Sequence, residues 1–193
     1  MTLFTAGSLT ASELAEDELP DLQRLFESNA SYFQLAEGEP ARPDAARRSF
    51  DARPPADMSY TRFWTLGLRD ASGALVALCD VIEDLLAPRV WHLGLFMVAG
   101  DVHGRGVGRA VYEALERWVV GRGALWLRLG VVDGNARAER FWRAQGYIET
   151  RRRESFEMGR KTNLLLVMVK PLTGGALDEY LALVPRDRPD QST

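Results

Sequence analysis

The sequence predicts an α/β fold, in which a central mixed β-sheet is flanked by helices. Two apolar runs, at 74–82 and 90–98, have the length and composition of strands. Apolar residues then recur at helical spacing between Val107 and Val119. Along the chain the patterns follow the order β-α-α-β-β-β-α-β-α-β-β, and such a mixture buries its apolar faces when sheet and helices stack in layers.

The N-terminal part of the chain is predicted to be mainly helical. A short strand at about 9–14 precedes a helix that begins at the N-cap Asp17 and ends near Asn29. Pro20 falls in the first turn of this helix, where proline is tolerated. A proline-rich polar stretch follows, and a short helix is predicted within it at 44–50.

Three strands are predicted in the middle of the chain. Residues 60–68 and 74–82 are separated by the turn residues 70–73, and this spacing predicts a hairpin. Residues 90–98 are apolar on both faces, which is typical of a central strand covered on both sides.

The remaining elements alternate between strand and helix. Residues 125–132 form a clear strand pattern, and a helix is predicted from the N-cap Asn135 to the stop at Gly146. The patterns at 147–158 and 163–169 predict a closing hairpin.

The length of 193 residues fits one domain. We predict a single domain over residues 1–171 and a polar C-terminal tail over 172–193. One helical turn is expected within this tail at 177–183.

Composition excludes several classes of protein. A formal charge of −3 and a pI of about 5.5 argue against a nucleic-acid partner, which usually requires a basic face. Cys79 is the single cysteine, so no intramolecular disulfide can form and a reducing compartment is expected. Residues 1–14 lack the pattern of a secretory signal, and no apolar run approaches the length of a membrane helix. We therefore expect a cytoplasmic protein with no membrane partner and no metal site.

The sharpest local signal is the glycine-rich turn between the strand at 90–98 and the next helix. Gly104, Gly106 and Gly108 let the backbone approach a ligand closely, and the unpaired amides of a helix start point outward. Together they form an anion cradle suited to a pyrophosphate. The turn lacks the Gly-Lys-Ser/Thr of a Walker loop and the spacing of a Rossmann fingerprint. The alternative is a turn that only begins a helix.

A second motif follows one strand later, with the sequence Asn135-x-x-Ala138-x-x-Phe141-Trp142-x-x-x-Gly146-Tyr147. Together with the glycine-rich turn, it resembles the Gcn5-related N-acetyltransferase (GNAT) superfamily over about residues 60–170. The resemblance implies a mostly antiparallel sheet, the binding of acetyl-CoA, and transfer of the acetyl group to an amine of a small molecule or peptide.

The resemblance also implies which residues bind the coenzyme. Backbone groups at the end of the strand would bind the pantetheine arm as an added strand does, and the turn would hold the pyrophosphate. Asn135 and Phe141 would flank the pantetheine and the thioester, although Asn135 could instead cap a helix and Phe141 could pack in the core. The implied residues are Phe96, Met97, Val98, His103, Gly104, Arg105, Gly106, Val107, Gly108, Arg109, Asn135 and Phe141.

Three positions depart from the family pattern. His103 replaces the usual Arg or Gln, and Trp142 replaces a tyrosine that often protonates the departing thiolate. Gly94 stands where family members often carry a glutamate as general base. An indole N–H cannot act as a general acid, so another group or water would have to supply that proton.

Two residues are candidates for the missing general base. His92 precedes Gly94 by two positions, so both face the same side of the strand, and its ordinary pKa suits proton transfer. Asp80 lies within an apolar strand, where burying a carboxylate is energetically unfavourable unless it is paired. The alternatives are a packed, hydrogen-bonded histidine and an aspartate in a salt bridge.

The acceptor is left open by the sequence. In the family the N-terminal helices shape the acceptor pocket, which here means residues 17–58 with Ser31, Tyr32, Phe33 and Phe50. Arg151, Arg152 and Arg153 could bind an anionic acceptor or belong to a solvated edge strand. The alternative functions are a non-catalytic acyl-CoA-binding or sensing module and a partner-binding protein with a vestigial turn. A homodimer is possible.

Overall fold

A computed structural model of the protein, which describes residues 1–189, contains one eight-stranded sheet in the order β1-β2-β3-β4-β5-β6-β8-β7. Only β5 and β6 are parallel, so the predicted mixed, mostly antiparallel sheet is confirmed. The strands are β1 (Thr2–Ala6), β2 (Leu9–Glu13), β3 (Arg62–Arg69), β4 (Leu75–Glu83), β5 (Val90–Val98), β6 (Trp126–Val132), β7 (Ile148–Met158) and β8 (Lys161–Pro171).

Helices cover both faces of the sheet. They are α1 (Leu19–Glu27), α2 (Ala30–Ala36), α3 (Ala45–Asp51), α4 (Val107–Gly121), α5 (Ala136–Ala144) and α6 (Leu177–Leu183). Apolar residues of α4 and α5, such as Leu115 and Trp142, join the main core on one face. Leu22, Phe26 and Phe33 of α1 and α2 form a second core on the opposite face. We call this second side the α1–α3 face.

Two elements were absent from the sequence prediction. Strand β1 is short and lies at the edge of the sheet, where Phe4 packs against Trp118 of α4 at a centroid distance of 5.6 Å. Helix α2 begins directly after Asn29, whose backbone leaves the helical region and separates it from α1. Phe33 then buries α2 in the second core. Both elements depend on long-range packing, which local sequence patterns do not reveal.

The C-terminal segment packs against the sheet over the part that the structure describes. The predicted helical turn at 177–183 is present as α6, and its Tyr180 is fully buried. The Trp126 indole donates a hydrogen bond to the Ala176 carbonyl at 2.8 Å. Asp187 is also buried, and it receives two hydrogen bonds from the Arg128 guanidinium at 2.5 and 3.1 Å. Residues 190–193 of the predicted tail lie outside the described residues.

Candidate functional site

The parallel strands β5 and β6 separate partway along their length. They are paired from Val90 opposite Trp126 to Leu93 opposite Leu129, and not beyond. At this point the β4 partner changes from Leu93 to Leu95, so Gly94 is an extra residue that forms a β-bulge. A bulge bends its strand. The facing edges of β5 and β6 after Leu93 therefore have unpaired backbone groups that an extended ligand can bind.

The glycine-rich turn lies just after this opening. Gly104 and Gly106 have φ angles of +76° and +80°, which residues with a side chain rarely adopt, and a Cβ atom at either position would meet nothing within 4 Å. Helix α4 starts immediately afterwards at Val107. The N–H groups of its first turn have no partner within the helix, and the helix dipole makes this end favourable for an anion. The turn thus has the geometry of an open anion cradle.

The opening and the turn share one cleft, with a volume of about 690 Å³. Of the twelve residues predicted to bind the coenzyme, ten line this cleft: Phe96, Met97, Val98, His103, Gly104, Gly106, Gly108, Arg109, Asn135 and Phe141. Arg105 is exposed on the same turn, and Val107 packs against the main core. The sequence prediction did not include Arg137 or Leu35, which also line the cleft.

The imidazole of His103 bridges the two sides of the cleft. Its Nε2 lies 2.8 Å from the Val98 carbonyl oxygen, which can only accept a hydrogen bond. Nε2 therefore carries the proton, and Nδ1 accepts a hydrogen bond of 2.9 Å from the Arg137 guanidinium. His103 thus links the end of β5 to the first turn of α5, and Arg137 could have been suspected only from its position inside the second motif.

The second motif serves both packing and the cleft. The Asn135 side chain caps α5 by accepting a hydrogen bond from the Ala138 amide at 3.1 Å, as the alternative interpretation expected, and it also lines the cleft. Phe141 stacks on Phe96 with a centroid distance of 5.9 Å. Trp142 is almost fully buried in edge contacts with neighbouring aromatic rings. Its indole therefore has mainly a packing role.

Asp80 is a buried carboxyl group on the α1–α3 face. Its Oδ1 has no hydrogen-bond partner among the described residues, so a direct salt bridge does not satisfy it. Burial raises the pKa of Asp80 to about 7, although a hydrogen bond from Thr65 and the positive charge of Arg53 oppose the rise. A Cβ atom built on Gly94 would lie 3.7 Å from the Asp80 Cβ. The Asp80 side chain therefore leaves β4 directly beside the position where Gly94 has no side chain.

His92, the other candidate base, has a different environment. Its Nδ1 accepts a hydrogen bond of 3.3 Å from the Arg128 guanidinium. Burial, followed by the positive charge of Arg128, lowers the pKa of His92 to about 3. The imidazole is therefore neutral at physiological pH and is a packed, hydrogen-bonded histidine.

One side of the cleft is formed by residues of α2, and the end of this helix is attached to the β7–β8 hairpin. Ser31 and Tyr32 line the cleft, whereas Phe33 and Phe50 belong to the second core. The tip of the hairpin is fastened to the end of α2. Three hydrogen bonds make this connection: Lys161 Nζ to the Leu35 carbonyl at 3.0 Å, Asn163 Nδ2 to the Ala36 carbonyl at 2.9 Å, and the Arg160 amide to the Glu37 carbonyl at 2.8 Å.

Comparison with known families agrees with this geometry. The sequence model of the acetyltransferase (GNAT) family matches residues 22–147 of the chain. The chain belongs to the GNAT acetyltransferase family. The resemblance inferred from the two motifs is thereby confirmed, and the protein is an acyltransferase of a family that uses acyl-CoA.

Solved structures of GNAT acetyltransferases share the fold. An acetyltransferase from Thermus thermophilus is 27% identical, with a TM-score of 0.63 over 89% of this chain and 100% of that one. The ribosomal-protein-S18-alanine N-acetyltransferase from Escherichia coli is 20% identical, with a TM-score of 0.63 over 88% of this chain and 97% of that one. A spermidine N-acetyltransferase from Vibrio cholerae, in complex with CoA and spermine, is 18% identical, with a TM-score of 0.65 over 86% and 97%. No curated protein matches the sequence.

Two further properties concern the described residues alone. No helix within residues 1–189 combines the length and hydropathy needed to cross a membrane. The same residues contain no group of three or more His, Cys, Asp or Glu side chains placed to hold a metal ion.

Proposed function

We propose that the protein transfers the acetyl group of acetyl-CoA to a primary amine. The observation that carries this proposal is the meeting of two features in one cleft, the opening between β5 and β6 and the glycine-rich cradle before α4. The volume of about 690 Å³ lies within the range of about 300–1,000 Å³ found for small-molecule sites. A solved structure with the same fold holds CoA, which supports the assignment.

The residues of the cleft fit the parts of the coenzyme. The amides at the start of α4, with Gly104 and Gly106, would bind the pyrophosphate because no side chain blocks their approach. The edge of β5 from Gly94 to Val98, whose last carbonyl also accepts a hydrogen bond from His103, would pair with the amides of the pantetheine arm. Phe141, which stacks on Phe96, would pack along the apolar part of the arm.

We assign the general base to Asp80. An alkylammonium group has a pKa of about 10, so the acceptor must lose a proton before it attacks the thioester. A buried carboxyl with a pKa of about 7 is half ionised near neutral pH, and its unsatisfied Oδ1 can accept that proton. In support, Asp80 lies beside Gly94, the position at which the family often carries a glutamate. His92 fits less well because Arg128 occupies its Nδ1.

Tyr32, which lines the cleft, would stabilise the departing thiolate by donating a hydrogen bond, and the thiolate would take its proton from water. Burial, with a smaller effect of Glu37, raises the pKa of Tyr32 to about 12, so the phenol stays protonated and can donate a hydrogen bond. The thiolate needs only modest stabilisation to leave, because a thiol has a pKa of only about 8.5.

Calorimetric titration with acetyl-CoA tests the coenzyme site. We expect micromolar binding to the wild-type protein and an affinity at least about 100-fold lower for Gly106→Glu, since the new carboxylate would repel the pyrophosphate. Gly106→Ala is the matched control, because it imposes the same backbone strain at a φ of +80° without the charge. Gly121→Glu adds an equal charge in open space at the far end of α4.

The outcome of this titration is decisive in both directions. Retained affinity in a folded Gly106→Glu protein would contradict the assigned pyrophosphate position. Equal loss in Gly106→Ala would attribute the effect to backbone conformation rather than to charge.

A second candidate is a non-catalytic acyl-CoA-binding module, favoured by Gly94 and Trp142 at the positions of the family's frequent glutamate and tyrosine. An assay of free-thiol release from acetyl-CoA with a panel of primary amines separates the two. Binding without amine-dependent release would favour the module over the enzyme.

We also propose a cytoplasmic location. Cys79 is the single cysteine, and it is buried within β4. Burial raises the pKa of the Cys79 thiol well above its ordinary value, so this thiol is unreactive. A chain that depends on no disulfide is compatible with a reducing compartment.

A further inference from the structure

The opening between β5 and β6 ends at two glycines. Gly94 of β5 and Gly130 of β6 directly follow Leu93 and Leu129, the last residues at which the two strands are paired. Both glycines are exposed, although the residues on either side of Gly130 are buried. We call this closed end of the opening, formed by Gly94 and Gly130, the apex. The backbone of the apex is therefore accessible from solvent.

The direction of a bound coenzyme follows from the order of cradle and strand. The cradle comes after the end of β5 at Val98, so a pantetheine arm that pairs with this edge runs back from the cradle towards Gly94. The strand from Gly94 to Val98 spans about 13 Å. The thioester then lies at the apex, and the paired strands beyond it stop the acyl group from continuing between them. This inference rests on the proposed function, because it uses that position of the coenzyme.

One face of the apex is closed by the main core. Leu129 and Val131, on either side of Gly130, belong to this core, and so does Leu93. Successive side chains of a strand point to opposite faces, so Gly130 faces the α1–α3 side, as Asp80 does. The acceptor amine and any part of the acyl group that leaves the plane of the sheet must therefore use the α1–α3 face.

Side chains from the neighbouring strands lie against both glycines on this face. A Cβ atom built on Gly130 would lie 2.6 Å from Leu165 Cδ2 and 3.0 Å from Leu165 Cγ, so the end of the leucine side chain rests on the Gly130 backbone. Leu165 is half-buried and belongs to β8, the strand next to β6. A Cβ atom on Gly94 would lie 3.7 Å from Asp80 Cβ and 4.0 Å from Ile82 Cδ1. The apex is thus bounded by Leu165 on one side and by Asp80 and Ile82 on the other.

We propose that Leu165 is a specificity-determining residue that restricts the transferred acyl group to acetyl. The amine and Asp80 occupy the Gly94 side of the apex, which leaves the Gly130 side for the acyl group. An acetyl methyl fits beside the Gly130 backbone, whereas a longer chain has to enter the space that Leu165 fills. Packed side chains tolerate little overlap, so each added methylene weakens binding.

Calorimetric titration with acetyl-CoA and with butyryl-CoA tests this restriction. We expect the wild-type protein to bind butyryl-CoA at least about tenfold more weakly than acetyl-CoA, the usual discrimination for an added methylene. In Leu165→Ala the difference should fall to about threefold or less, because the shorter side chain leaves room for the longer acyl group. Leu165→Val is a smaller change that disturbs folding less and should give an intermediate ratio, so it carries the test if Leu165→Ala does not fold.

Leu164→Ala is the matched control. Leu164 is also half-buried in β8, but its side chain points to the other face of the sheet. This variant should keep the wild-type ratio of the two affinities. Equal affinity of the wild-type protein for both acyl-CoA esters, an unchanged ratio in the Leu165 variants, or an equal change in Leu164→Ala would overturn the proposal.

Failure of this proposal can be distinguished from failure of the proposed function. Amine-dependent release of free thiol from acetyl-CoA is measured on the same samples. Release together with equal affinity for both esters would reject the role of Leu165 alone. A preference for acetyl-CoA that Leu165→Ala removes, without any release, would support the role of Leu165 and contradict the enzyme. If the wild-type protein binds neither ester, the proposed function and the role of Leu165 are both overturned.

Discussion

Replacing Asp80 with asparagine should reduce acetyl transfer by about 100-fold or more, the typical contribution of a general base, while leaving acetyl-CoA binding intact. The reason is that the amide cannot accept the proton of the acceptor amine. In the wild-type protein the rate at subsaturating acceptor should rise with pH around 7, because only ionised Asp80 accepts a proton and its pKa is about 7. Steady-state kinetics between pH 5.5 and about 9 measure both effects.

The same substitution should make the protein more stable at neutral and alkaline pH. The pKa of Asp80 is raised on folding, from about 3.9 to about 7, so the folded state binds the proton more tightly. The stability this gives is fully present below about pH 4 and is lost as the pH rises to about 7. Asparagine does not ionise, so the variant should retain on the order of 2 kcal/mol of unfolding free energy that the wild-type protein loses as the pH rises.

Denaturant unfolding at pH 5 and at pH 8 tests this behaviour, with Asp57→Asn as the control at an exposed loop position. A loss of activity accompanied by a flatter pH dependence of stability would identify Asp80 as the strained, catalytic carboxyl. Activity close to that of the wild-type protein would show that water or another group removes the proton.

Replacing Asp187 with alanine should destabilise the protein by about 3–5 kcal/mol, the usual cost of leaving a buried charge without its partner. Arg128 is 7% exposed at its side chain, Asp187 is fully buried, and the Tyr180 hydroxyl loses its acceptor as well. Denaturant unfolding at pH 7 gives the free energy directly. Glu13→Ala breaks the exposed ion pair with Arg62 and should cost no more than about 1 kcal/mol.

The pH dependence and a double substitution refine this second prediction. Burial raises the pKa of Asp187, but the hydrogen bonds and positive charge of Arg128 lower it more. The pKa of Asp187 is therefore below its ordinary value. The stability that Asp187 contributes is therefore present above about pH 4 and is lost as the pH falls through its lower folded pKa. Arg128→Met combined with Asp187→Leu should recover much of the loss, since apolar packing often replaces a buried ion pair without cost. A double variant as unstable as Asp187→Ala would show that the pair itself is required.

The sequence alone was sufficient for the elements whose signals are local. The turn at Gly104–Gly108 and the helix after it are encoded within a few residues, because positive φ angles require glycine and a helix start leaves its amides free. The strand at 90–98 was predicted with the bounds that β5 has in the structure. Motif order then led to the GNAT family, which the family match confirms.

Only the tertiary structure decided which distant residues meet. The pairing of β4 with β5 brings Asp80 to the bulge at Gly94, and strand register cannot be read from the hydrophobic pattern of either strand by itself. Arg128 and Asp187 are 59 residues apart, and their contact depends on how α6 packs against the sheet. Local backbone geometry and hydrophobic period are properties of short segments, so the sequence determined the glycine-rich turn and most of the elements. The position of Asp80 beside the opening and the buried pair of Arg128 and Asp187 arise from long-range packing, which no single segment specifies.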